Sequence, residues 1–127
     1  VYIYVYIYIY MYIHMYIYVY IYIYIYMIGQ AKRDIIGIAE TGSGKTAAFV
    51  IPLLCYMLQL PPENIARIAD EGPLAIVMAP TRELAQQIDE ECQKLAKFTK
   101  FETVCVVGGQ SIEEQGFRLR KGVHIVI

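Results

Sequence analysis

From Asp34 to Ile127 short apolar runs alternate with longer stretches of helical period, and no other feature narrows the fold as much. Parallel strands joined through helices need a crossover each time, so a βαβα series builds a parallel sheet with helices packed on it. "DIIGIA" over 34–39 reads as a first buried strand. After a glycine-rich turn, "KTAAFVIPLLCYMLQL" reads as a helix that Pro52 is expected to bend. "PPENIARIADEGP" is a polar connector, "LAIVMA" over 74–79 a second strand, and "TRELAQQIDEECQKLAKF" an amphipathic helix whose Leu84, Ile88, Cys92 and Leu95 share one face. "ETVCVV" over 102–107 is a third strand, and Gly108 and Gly109 follow it. "SIEE" then has capping-box form, with Ser111 as the cap and Glu114 closing the box. That helix ends in Arg118, Arg120 and Lys121 before Gly122, the charge order a helix dipole favours, and "VHIVI" opens a fourth strand. The expected class is α/β.

Residues 1–27 are of a different kind. Tyrosine occupies nearly every second position, Ile, Val or Met the positions between, and His14 is the one polar interruption. Of the 13 tyrosines only Tyr56 lies outside this stretch, whereas every Lys, Arg, Asp and Glu lies in 28–127. Strict alternation suits a strand, but at about 3.4 Å per residue it would run to roughly 90 Å, far beyond ordinary strands, and an uncharged strand with two apolar faces is an aggregation template. The length would suit a membrane span, yet tyrosine favours the interfacial belts over the bilayer centre. A basic start and a small-residue cleavage site, the marks of a secretory signal, are missing. Ile, Tyr, Val, Met and His can be written ATA, TAT, GTA, ATG and CAT, so codons 1–27 can alternate purine and pyrimidine throughout. The repeat reads as a translated microsatellite, low in complexity and without an evolved function, and 28–127 as the folding domain.

That domain, at roughly 100 residues, has room for one small core. A net charge of −1 exerts no bulk pull on nucleic acid or membrane, so anion binding has to be local. Cys55, Cys92 and Cys105 are odd in number and lack zinc-site spacing, and read as reduced thiols in or near the core of a protein from a reducing compartment. His124, in an apolar strand, reads as a packed core histidine. Arg118, Arg120 and Lys121 read as a solvated helix end, with a small RNA-facing patch as the alternative.

The chemistry concentrates in "AETGSGKT" over 39–46, between the first strand and its helix. Successive backbone N–H groups and a helix N-terminus form an anion cradle there, and Gly42 and Gly44 permit the tight path. Lys45 supplies a point charge for β/γ-phosphates, and the Thr46 hydroxyl is placed to ligate magnesium. Ala39 stands where the common pattern has its first glycine.

With Ala39, Thr41, Gly42, Gly44, Lys45 and Thr46 in that order, the loop resembles the form found in DEAD-box RNA helicases. "PTRELAQQI" over 80–88 resembles the family's motif Ia and Gly108-Gly109 its glycine doublet, each directly after a strand. The resemblance covers Ile28 to Ile127 and implies an incomplete RecA-like P-loop domain with a parallel sheet. It implies that Ala39, Glu40, Thr41, Gly42, Ser43, Gly44, Lys45 and Thr46 bind ATP with Mg2+ on Thr46, and that Lys45 and Thr46 serve catalysis. It implies that Pro80, Thr81, Arg82 and Glu83, with Gly108 and Gly109, touch RNA phosphates, holding RNA by shape and charge. Within the family, "AETGSGKTAAFVIPLL" and "GGQSIEEQGFRLRKG" resemble most the spliceosomal subfamily acting at the upstream splice site. That places the protein in the nucleus, with the cytoplasm as the alternative, among spliceosomal proteins and without stable membrane association.

Where the family has an adenine-reading glutamine motif, this chain has the repeat, and Gln30 is not that glutamine. The Thr-Pro-Gly-Arg, Asp-Glu-Ala-Asp and Ser-Ala-Thr motifs and the second lobe do not occur between Ile28 and Ile127, so this stretch is expected to bind ATP and RNA without hydrolysing ATP. The expected activity is that of a fragment of an ATP-dependent RNA helicase, with a short, inactive ATP- and RNA-binding module as the alternative. In such folds a strand from the missing part lies beside the P-loop strand, so the isolated stretch is expected to be unstable or to aggregate.

Overall fold

The computed structural model describes residues 23–29, 31–40 and 42–127; the repeat up to Tyr22, Gln30 and Thr41 lie outside the described residues. Residues 23–29 are helical (α1). The elements after it are α2 (Lys45–Leu58), α3 (Pro62–Ala66), α4 (Ile68–Glu71), β1 (Ala75–Ile76), α5 (Arg82–Ala96), β2 (Thr103–Val104), α6 (Ile112–Arg120) and β3 (Ile125–Val126). The strands form a parallel sheet in the order β1-β3-β2, with Ala75 and Thr103 both in register with Ile125. Hydrogen bonds continue past the formal ends, from Val77 N–H to the Val126 carbonyl and from Val106 N–H to the Ile127 carbonyl. β3, last in sequence, lies in the middle, so β1 and β2 meet only through it.

α2 and α5 pack on one face of this sheet. Val50, Leu54 and Met57 from α2 meet Ala85, Ile88, Cys92 and Ala96 from α5 over Val107, Ile125 and Ile127. Burial at this scale stabilises by about 1.5–3 kcal/mol for each large side chain. α5 differs from its expected face. Ala85 and Ala96 are buried beside Ile88 and Cys92, Leu95 is half-buried and Leu84 is 38% exposed. The inward stripe is rotated toward the alanines, because small side chains let α5 approach α2 closely while Leu84 spreads over the rim. α2 continues through Pro52 to Leu58. A Cβ added at Gly29 would lie 2.9 Å from the Pro52 Cβ, so α1 approaches α2 where it has no side chain, and the Lys32 ammonium stands 5.3 Å from the Tyr56 ring centroid.

The expected strand over 34–39 does not form. Residues 33–40 carry no regular structure, and Ile36 and Ile38 are 97% and 98% exposed. A strand exists through its ladder partners, and among the described residues none lies beside this one. The sheet's second face is also bare in part, with Ile76 68% and Met78 90% exposed. The polar connector contains two short helices, α3 started by Pro62 and α4 closed at Gly72 with φ of 100°.

His124 is the packed histidine the sequence implies. Its Nδ1 accepts a hydrogen bond from Glu102 N–H at 3.0 Å and its ring lies 5.2 Å from that of Phe101. Burial pushes its pKa below the ordinary value, with the Glu102 carboxylate opposing in part. The three cysteines are free, Cys92 buried and Cys55 and Cys105 half-buried. Burial, helped by the charge of Asp89, pushes the Cys92 and Cys105 thiols up, away from the reactive thiolate. The same Asp89 accepts a hydrogen bond from the Thr103 hydroxyl, tying α5 to β2.

Candidate nucleotide and nucleic-acid interface

The loop over 39–46 takes the path its glycines allow. Gly42 has φ of 77° and Gly44 φ of 81°, both left-handed, and Gly44 is the N-cap from which α2 starts at Lys45. Gly44 has no side chain to cap α2, and the first backbone N–H groups of a helix are the ones its own ladder does not use. Ser43 closes the turn through its N–H (3.3 Å) and its hydroxyl (2.7 Å), both donating to the Glu40 carbonyl. The Lys45 ammonium folds back over the loop and donates to the carbonyls of Ala39 and Glu40. It therefore spans the entry and exit of the loop from the first turn of α2. Thr46 is half-buried beside it, Glu40 is exposed, and Thr41 lies outside the described residues.

The second constellation forms at the carboxyl ends of the strands. Pro80 is exposed after β1; Thr81 caps α5, its hydroxyl accepting the Leu84 N–H at 3.2 Å; Arg82 and Glu83 make the exposed first turn. β2 leads into Gly108 and Gly109, the latter with φ of 78°. A Cβ placed on Gly109 would stand 2.7 Å from Arg82 Nη2, so the guanidinium lies against the bare Gly109 backbone. Residues 27 positions apart in sequence thus share one surface, with a cation, exposed backbone and the start of a helix side by side. Sequence reasoning named both segments but had no signal for their contact.

It also missed Gln115. This α6 residue is buried, its Oε1 accepting the Val107 N–H at 2.9 Å and its Nε2 donating to the Val107 carbonyl at 3.2 Å. Ser111 does cap α6 as its capping-box form implies, accepting from Glu114 N–H at 3.3 Å. At the far end of α6, Arg118 pairs with Glu114 at 3.3 Å on the surface and Lys121 stands 4.6 Å from the Phe117 ring, as expected of a solvated helix end.

A glycine turn opening onto a helix at its lysine, beside a parallel sheet, is the arrangement of the P-loop class of α/β proteins. Residues 22–127 match the DEAD/DEAH box helicase family, and the chain belongs to it. It is 61% identical over 100 residues to DEAD-box ATP-dependent RNA helicase 21 of Oryza sativa, covering 79% of this chain and 14% of that protein. It is 61% identical over 95 residues to the pre-mRNA-splicing ATP-dependent RNA helicase PRP28 of Phaeosphaeria nodorum, 75% of this chain and 13% of that protein. The crystal structure of the RNA helicase Prp28 from Chaetomium thermophilum bound to ADP superimposes with a TM-score of 0.65 at 48% identity, over 78% of this chain and 23% of that one. This chain thereby has part of the RecA-like fold of the family, and it spans about one-seventh of the curated relatives' length.

Proposed function

We propose that this chain supplies the ATP-binding loop and part of the RNA-binding surface of a DEAD-box ATP-dependent RNA helicase acting in pre-mRNA splicing. The observation that carries the reading is the loop itself, with Gly42 and Gly44 at positive φ opening directly onto Lys45 at the start of α2. The backbone of Ala39, Glu40, Thr41, Gly42, Ser43 and Gly44 wraps the phosphates of ATP. Lys45 exchanges the Ala39 and Glu40 carbonyls for phosphate oxygens, so a contact within the protein is replaced by a stronger, charge-assisted one. Mg2+ fits the same place. The Thr46 hydroxyl is a hard oxygen donor next to Lys45, and magnesium is commonly held by few protein oxygens together with substrate phosphates. When bound, the ion supplies charge neutralisation at the phosphates.

Pro80, Thr81, Arg82, Glu83, Gly108 and Gly109 take the RNA backbone, Arg82 by charge and the loop and helix start by their N–H groups. Contacts of this kind, to phosphate and not to base edges, hold RNA by shape and charge. The Asp-Glu-Ala-Asp carboxylates do not occur within 1–127, so the part assigned to Lys45 and Thr46 is to hold and orient phosphate and metal. The likeness to pre-mRNA-splicing helicases supports a nuclear setting with spliceosomal proteins as partners. No described helix is long and apolar enough to cross a membrane.

Lys45→Ala tests the loop. ATP affinity, read by titrating a fluorescent ATP analogue with Mg2+, is expected to fall at least about tenfold, the loss of one charge-assisted contact. Undiminished affinity would remove the site.

A further inference from the structure

Among the described residues β2 is an edge strand. Its Glu102, Val104 and Val106 make their backbone hydrogen bonds to β3, so the intervening Thr103, Cys105 and Val107 turn theirs toward the free edge. Val107 is buried, and a buried backbone N–H or C=O without a partner is strongly disfavoured. Gln115 resolves this with one side chain. Its amide takes the Val107 N–H at 2.9 Å and gives a proton to the Val107 carbonyl at 3.2 Å, as a neighbouring strand would. The same Nε2 lies 3.4 Å from the Ser111 carbonyl. Val107 and Ser111 are the two ends of the loop that carries Gly108 and Gly109. A side-chain amide offers an acceptor and two donors in one plane, and glutamine carries it one methylene further from the helix than asparagine does.

We infer that Gln115 is a positioning residue for RNA binding, a clamp across the base of the glycine loop that holds its backbone against Arg82 and open to an RNA phosphate. The inference rests on the reading of Gly108 and Gly109 as an RNA contact. Gln115 itself is buried and touches no ligand. Without the clamp, Val107 would seek water, the loop would sample other paths, and a phosphate would have to order it on binding. The P-loop lies on a different element, so ATP affinity is independent of the clamp.

Gln115→Met keeps the volume and removes every polar atom. In the full chain, affinity for a mixed-sequence single-stranded oligoribonucleotide is expected to fall roughly tenfold or more, with ATP affinity held within about twofold. Amide exchange at Val107 is expected to quicken by a similar factor while the amides of α2 and α5 keep their rates. Gly109→Ala serves as the second variant. RNA affinity lost in Gly109→Ala but retained in Gln115→Met overturns the clamp and leaves the loop's contact with RNA standing. RNA affinity retained in both removes the RNA contact on which the inference rests. RNA and ATP affinities falling together in Gln115→Met, with exchange quickened in every element, show a residue needed only for folding and overturn the inference as well.

Discussion

Arg82 and His124 show how much a single side chain's meaning depends on what the fold places beside it. Arg82 was legible as a basic residue at a helix start, but its role rests on lying against Gly109, where no side chain intervenes. If that guanidinium meets an RNA phosphate, Arg82→Ala should weaken binding about equally across unrelated sequences and reduce the salt slope, d log K/d log[salt], by about 0.7 for a single strand. Titrations at two or more salt concentrations read this, and an unchanged slope would take Arg82 off the phosphate. His124 was legible as buried because its strand is apolar, but its acceptor role toward Glu102 N–H was not. Its folded-state pKa is lowered from 6.5, so the unfolded chain takes up the proton first as pH falls. Its stabilising contribution is therefore complete above about 6.5 and lost below, toward the lowered folded value. His124→Asn, whose carbonyl keeps an acceptor without titrating, should flatten that slope in denaturant midpoints measured between about pH 5 and 7. A slope equal to that of the parent would assign the acid loss to other groups.

The helices were the most legible elements, because their caps and periodicity are local. Thr81 and Ser111 were both readable as caps from side-chain chemistry and the residues following them, and both accept the N–H three positions on. Thr81→Ala should cost about 1 kcal/mol, a fall of roughly 4–8 °C in melting temperature for a domain of this size. Thermal unfolding checks this, and Thr81→Asn, which can still cap, should recover most of the loss. The burial of α5 was less legible. Periodicity finds a stripe but not its centre, and the close approach to α2 shifted that centre onto Ala85 and Ala96. The strands were legible as apolar runs, and three of the four join the sheet. The remaining one, 34–39, has the composition of a buried strand and lies exposed, because strand formation depends on a partner that local sequence does not name.

At the scale of the whole molecule, one sheet face is covered by α2 and α5, while Ile36, Ile38, Ile76 and Met78 stand in solvent. Parallel sheets are ordinarily covered on both faces, and exposed apolar patches drive association. The chain by itself should self-associate as its concentration rises, and Met78→Lys with Ile38→Lys should lower that tendency. Sedimentation velocity over a concentration series measures it, and a concentration-independent monomer would show that these side chains are covered. By itself the sequence determined what rests on neighbours within a few residues: the helix starts, the left-handed glycines, Lys45 at the head of α2, the parallel class of the sheet and the family those motifs mark. The tertiary structure alone decided the contacts between residues distant in the chain. These are the central place of β3, the rotation of α5, the guanidinium of Arg82 against Gly109 and the amide of Gln115 on Val107. The division follows from the physics, since turns and caps are set by torsion angles and hydrogen bonds a few residues apart, whereas pairing, packing and proximity exist only once the chain has folded back on itself.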